Sequence, residues 1–93
     1  MASARARRAI VNSLKNLSAD INDVLDNFEE SKVMELTGMK SMLQDKIKRF
    51  VEISEEISTT IEDDEEFDKF TDETYQQQVK YRQILNKIEF TLK

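Results

Sequence analysis

The sequence predicts an all-α fold, an antiparallel three-helix bundle or coiled coil with long helices, and three observations predict it. Proline is absent and glycine occurs once, at Gly38, so the usual makers of hairpins and loop-rich folds are missing. Charged residues make up 35% of the chain and apolar residues 39%, a balance that suits amphipathic helices. Within three separate blocks the apolar residues recur every three or four positions, the period of one helix face.

The first block predicts a helix over about 4–29. Ile10, Leu14, Leu17, Ile21, Val24 and Phe28 fall on a single stripe. The stripe ends at NFEESK, residues 27–32, where a tight turn is expected. Ser31 is suited to cap the next helix, because a short hydroxyl side chain can accept a hydrogen bond from a free backbone N–H.

The second block predicts a helix over about 32–61. Leu36, Met39, Leu43, Ile47, Phe50, Ile57 and Ile61 form its stripe, widened by Val33, Val51 and Ile53. Gly38 falls inside this pattern, where glycine costs about 1 kcal/mol relative to alanine. The turn is nevertheless placed near Ser31, since Val33 and Leu36 continue the stripe backwards in phase.

The third block predicts a helix over about 64–92, with Phe67, Phe70, Thr74, Tyr81, Leu85, Ile88 and Leu92 in phase. Asp63 or Asp64 can N-cap it, with Glu65, Glu66 and Asp68 near its positive dipole end. Gln77 or Gln78 also falls on the stripe, where a buried amide needs a partner. Residues 1–93 thus read as one helical domain about 40 Å long. Exchange of a helix between two chains would preserve every stripe.

Such a chain is close to the lower size limit for a self-sufficient core, so oligomerisation is expected. Val11, Leu25, Met34, Met42, Val51 and Phe90 lie off the tightest lines of the stripes and are left for a second copy or a partner helix to cover.

The composition also narrows function. There is no cysteine and no histidine, which removes disulfides, thiolate chemistry, the commonest general base and the commonest transition-metal ligand. The acidic run TTIEDDEEFDKFTDE, residues 59–73, lacks the glycine and alternating acids of a calcium loop, and its carboxylates fan around a helix. Nor does a narrow bundle offer a cleft that would push two carboxylate pKa values apart. The expectation is a non-enzyme with no metal, no cofactor and no small-molecule substrate.

No apolar run approaches the ~18 residues of a membrane span. MASARARRAIVNSL lacks the apolar core of a secretory signal, and Ala2 is not the glycine of a myristoylation pattern. An intracellular, cytoplasmic protein is expected.

The net charge of −5 conceals a strong polarity. Arg5, Arg7, Arg8 and Lys15 open the chain without an acid among them, whereas acids crowd residues 62–73, with Asp63, Asp64, Glu65 and Glu66 at their head. The cationic start could touch RNA phosphates or an anionic membrane. Three arginines with no aromatic residue nearby are few for that purpose. Pairing with the acidic segment of the same or a neighbouring chain is the simpler role for these residues.

RARR followed by SLK, an amphipathic first helix, a short break, a long helix with Leu36, Leu43, Phe50 and Ile57 in phase, then DDEEFDKFTDETYQQQVKYRQIL resembles the helical domain near the start of Gag-like polyproteins of Pao/Bel-type LTR retrotransposons. The resemblance covers nearly the whole chain, with Phe70 and Tyr75 at matching places and Thr74 where that family often has a second tyrosine. It implies a structural role: self-association of polyprotein chains into particles, or a domesticated interaction domain. No cysteine/histidine zinc knuckle is present, so the resemblance does not extend to RNA packaging. The leading expectation is therefore a self-associating assembly module. The alternative is a monomeric helical adaptor, cellular or designed, whose groove receives another helical protein.

Overall fold

The computed structural model describes residues 3–93, which form three α-helices and no strand. Helix α1 spans Ala4–Asp26, α2 Val33–Ser58 and α3 Asp64–Leu92, with a single 3₁₀ turn at Glu30–Lys32 before α2. The reading of Ala2 lies outside the described residues.

Cross-helix bonds give the topology. Ser13 pairs with Lys46 at 2.6 Å and Arg7 with Ser54 at 3.3 Å, so numbers fall along α2 as they rise along α1. Lys40 meets Glu89, while Arg7 holds Ser54 and Thr74 together, which makes α2 and α3 antiparallel as well. Helices α1 and α3 consequently run in the same direction. The resulting bundle measures 50 × 20 × 16 Å, longer than the expected 40 Å. Its radius of gyration is 15.1 Å, against about 12 Å for a compact domain of this length.

Helix ends depart from the sequence expectation where side chains compete for backbone groups. Helix α1 begins with Ser3 accepting a hydrogen bond from the Ala6 N–H at 3.1 Å. It stops at Asp26, short of the expected 29, with Asn27 donating to the Asp23 carbonyl at 3.1 Å. Helix α2 ends at Ser58 instead of 61. The hydroxyls of Ser58, Thr59 and Thr60 each donate, at 2.7 Å, to the carbonyl three residues back, and so satisfy groups a longer helix would use.

Two expected caps are also corrected. Ser31 does not cap α2: it lies within the 3₁₀ turn, which closes through Lys32 N–H to Glu29 C=O at 2.8 Å, and Lys32 occupies the cap position without a side-chain bond. Asp63 does occupy the α3 cap position, and its carbonyl accepts from Phe67 N–H at 2.9 Å. Its carboxylate, however, makes no capping bond. Gly38 lies inside α2, and no described residue has a positive φ.

The core is a single column. Leu14, Ile21, Leu36, Leu43, Phe50, Tyr81 and Ile88 are fully buried, and Leu17, Val24 and Ile47 nearly so. Ile10, Phe28 and Leu85 are partly buried and pack against it, and Ile57, Ile61 and Phe70 are also partly buried. Phe67 departs from its expected core place, being 39% exposed. The reason is topological: Arg7 stands level with Glu73 and Thr74, so Phe67, nearly two turns earlier, lies beyond the start of α1 and past the end of α2. Val33 is exposed by the same effect at the opposite end. Ile53, expected to widen the second stripe, is buried, and Ile84 is buried although no stripe included it. Of the six off-line residues, Val11, Leu25 and Val51 pack against the core, whereas Met34, Met42 and Phe90 are exposed.

Candidate interaction surface

The three arginines at the start of the chain have different fates. Helical spacing turns Arg7 inward onto the stripe that carries Leu14 and Ile21, while Arg5 and Arg8 stay exposed. The Arg7 guanidinium sits between two rings, its carbon 5.3 Å from the centre of Phe50 and 4.6 Å from that of Phe70. It donates to Ser54 and, at 3.1 Å, to Thr74, and stands 3.8 Å from the Glu73 carboxylate. The complementarity expected between the basic start and the acidic segment is thus realised within the chain by Arg7 and Glu73. Asp63, Asp64, Glu65 and Glu66 are exposed, and none of them makes an ion pair among the described residues.

Charge order along the helices accounts for this arrangement. Helix α1 is basic at its start, through Arg5, Arg7, Arg8 and Lys15, and acidic at its end, through Asp20, Asp23 and Asp26. Helix α3 is reversed, acidic from Asp64 to Glu73 and basic through Lys80, Arg82 and Lys87. Parallel packing of α1 and α3 therefore brings the basic start of α1 level with the acidic start of α3, where Arg7 meets Glu73. Sequence reasoning singled out only the first half of each pattern. The sign change along the third block was the signal that could have found Lys80 and Lys87.

Among the described residues no three acidic side chains converge as metal ligands. Three buried polar atoms lack a partner: Ser18 Oγ, Gln77 Oε1 and Tyr81 Oη. Burial pushes the Tyr81 phenol above the ordinary tyrosine range, since desolvation penalises the phenolate. Gln77 is thus a polar residue at the core edge whose carbonyl remains unsatisfied.

The two most exposed large apolar side chains lie at one end. Met34 begins α2 and is 87% exposed, and Phe90 near the close of α3 is 80% exposed. Antiparallel topology brings both to the end where α1 turns into α2, beside partly buried Leu25, Phe28 and Leu92. The opposite end carries the acidic run. Among the described residues no helix is long and apolar enough to cross a membrane. No protein-family model, curated protein or solved structure matches the chain.

Proposed function

We propose that the chain is a non-enzymatic helical association module that pairs with copies of itself, in the manner of the Gag-like assembly domains it resembles. The observation that carries this reading is the pair Met34 and Phe90, two large apolar side chains left in water at one end of a thin bundle. Burying both against a second copy removes apolar surface from water, worth about 1.5 to 3 kcal/mol for each fully buried side chain. Intermolecular pairing through the basic start carries less of the argument, because Arg7 is engaged by Phe50, Phe70 and Glu73 of its own chain. The same engagement leaves Arg5 and Arg8 as the exposed arginines at the start, few for binding RNA or an anionic membrane.

Light scattering on a sizing column, over about a hundredfold range of concentration at low and high salt, tests this. The expected result is an oligomer that dissociates on dilution, persists in salt, and is lost in the double variant Met34→Glu, Phe90→Glu. A monomer at every concentration would overturn self-association and favour an adaptor that receives a partner helix.

A further inference from the structure

Parallel packing of α1 and α3 leaves a seam whose chemistry differs from that of the other grooves. Along α1 the seam-facing row is Arg8, Val11, Lys15, Ser18 and Leu25, spaced by threes, fours and one full heptad. The first three line a depression of about 370 Å³ with Phe70, Glu73 and Gln77, and Leu25 lines a second depression of about 470 Å³ with Lys87 and Phe90. On α3 the facing row is Glu73, Gln77, Lys80, Ile84 and Lys87, which places Lys80 between the two depressions. These rows bring together Arg8, Lys15, Lys80 and Lys87, all exposed and without an ion-pair partner among the described residues. The single acid in the rows, Glu73, faces Arg7.

A protein of net charge −5 therefore presents a cationic seam with an apolar floor. The groove between α2 and α3 is lined by both signs, Lys48 and Arg82 beside Glu52 and Glu89, the two acids pairing with Arg49 and Lys40. We infer that the α1–α3 seam docks an acidic amphipathic helix of a partner protein. Arg8 and Lys15 are one heptad apart, as are Lys80 and Lys87, so each pair spans about 10.5 Å, two turns of a helix. Carboxylates at seven-residue spacing on a bound helix would meet them, while its apolar stripe covers Val11, Ile84 and Leu25. A nucleic acid backbone could use the cations but not that floor. A second copy of the chain is disfavoured face to face, because two cationic seams repel.

This surface adjoins the self-association surface at Phe90, which lines the second depression, and the test uses seam residues other than Met34 and Phe90 to keep the two separate. The probe is a synthetic helical peptide of about 18 residues, long enough for the seam, with leucines on one face flanked by glutamates and a fluorescein label. Anisotropy titration at low and physiological salt is run beside a peptide with lysine for glutamate and a single-stranded RNA. Sedimentation of the same samples reports the oligomeric state. The seam variant is Lys15→Glu, Lys87→Glu, and the control is Lys48→Glu, Arg82→Glu in the α2–α3 groove. All four side chains are exposed, and circular dichroism checks that both variants keep their helix content.

The expected result is that the acidic peptide binds, that the seam variant weakens it by at least about tenfold, and that the control does not. The lysine peptide should gain affinity for the seam variant. Failure of the acidic peptide to bind at low salt, equal weakening by the control, RNA binding as strong as peptide binding, or a dimer that the seam variant dissociates would each overturn the proposal.

Discussion

The guanidinium carbon of Arg7 lies 4.6 Å from the centre of the Phe70 ring, a relationship that ties the start of α1 to the start of α3. Phe50 of α2 covers the group from another side at 5.3 Å, so one cation touches all three helices where the core gives way to solvent. A planar guanidinium can stack on rings and still donate in its own plane, here to Ser54 and Thr74. Its side chain is 16% exposed, whereas that of its acidic partner Glu73 is 63% exposed. The rings and the hydroxyls therefore hold Arg7 more firmly than the carboxylate does.

Replacing Arg7 should separate those contributions. Arg7→Lys keeps the charge but loses the planar stack and the fork, and is expected to destabilise the bundle by about 1 to 2 kcal/mol. Glu73→Gln removes only a solvated ion pair and should cost less than about 0.5 kcal/mol. Urea unfolding followed by circular dichroism measures both, and equal losses would show that the carboxylate is the main anchor.

How far the sequence could be read depended on the range of the interaction concerned. The stripes from Ile10 to Phe28 and from Leu36 to Ile57 are local periodicities, and they set the helices and most of the core. Phe67 follows the same periodicity but lies beyond the neighbouring helices, and that offset depends on how α1, α2 and α3 align. Arg7 was visible as a charge, but its destination was not, because Phe50 and Phe70 come from other helices. The stop at Ser58 rests on three successive hydroxyls turning back onto carbonyls. Ser58, Thr59 and Thr60 could have signalled this end, yet Ile57 and Ile61 pointed past it.

Tyr81 is fully buried, with a hydroxyl that finds no partner. Tyr81→Phe removes the unpaired group and leaves the ring, so it should stabilise the bundle by about 1 kcal/mol near neutral pH. The raised phenol pKa adds a pH dependence. The folded chain holds the proton more tightly than the unfolded chain, so this stability is fully present below the ordinary tyrosine value, about pH 10, and is lost as pH rises through the raised folded value. Thermal unfolding at stepped alkaline pH, in a Tyr75→Phe background that leaves Tyr81 the single tyrosine, should show a steeper fall for that parent than for Tyr81→Phe. A fall of equal slope would mean that the phenol does not govern the alkaline limit.

Gly38 sits within α2 with an exposed, ordinary helical environment, and a Cβ placed on it would meet nothing within 4 Å. Alanine there avoids glycine's larger loss of backbone freedom without a clash. Gly38→Ala should raise stability by about 0.5 to 1 kcal/mol, seen as a higher urea midpoint at unchanged slope. No gain would indicate that the glycine serves a surface held by a partner.

The two helix starts offer a matched comparison of caps. Ser3 makes its capping bond to Ala6 N–H, so Ser3→Ala should cost about 1 kcal/mol of local stability at the start of α1. Asp63 holds the equivalent position on α3 without such a bond, and its remaining contribution is the attraction between its carboxylate and the positive end of the helix. That attraction is worth about 0.3 to 1 kcal/mol at low salt and is screened as salt rises. The two effects should therefore part with ionic strength: at about 1 M salt the penalty for Asp63→Ala disappears and that for Ser3→Ala persists. Amide hydrogen exchange in the first turn of each helix measures the difference where it arises. A salt-independent loss at Asp63 would show that its carboxylate forms the missing capping bond in solution, restoring the hydrogen-bonded cap that the sequence suggests.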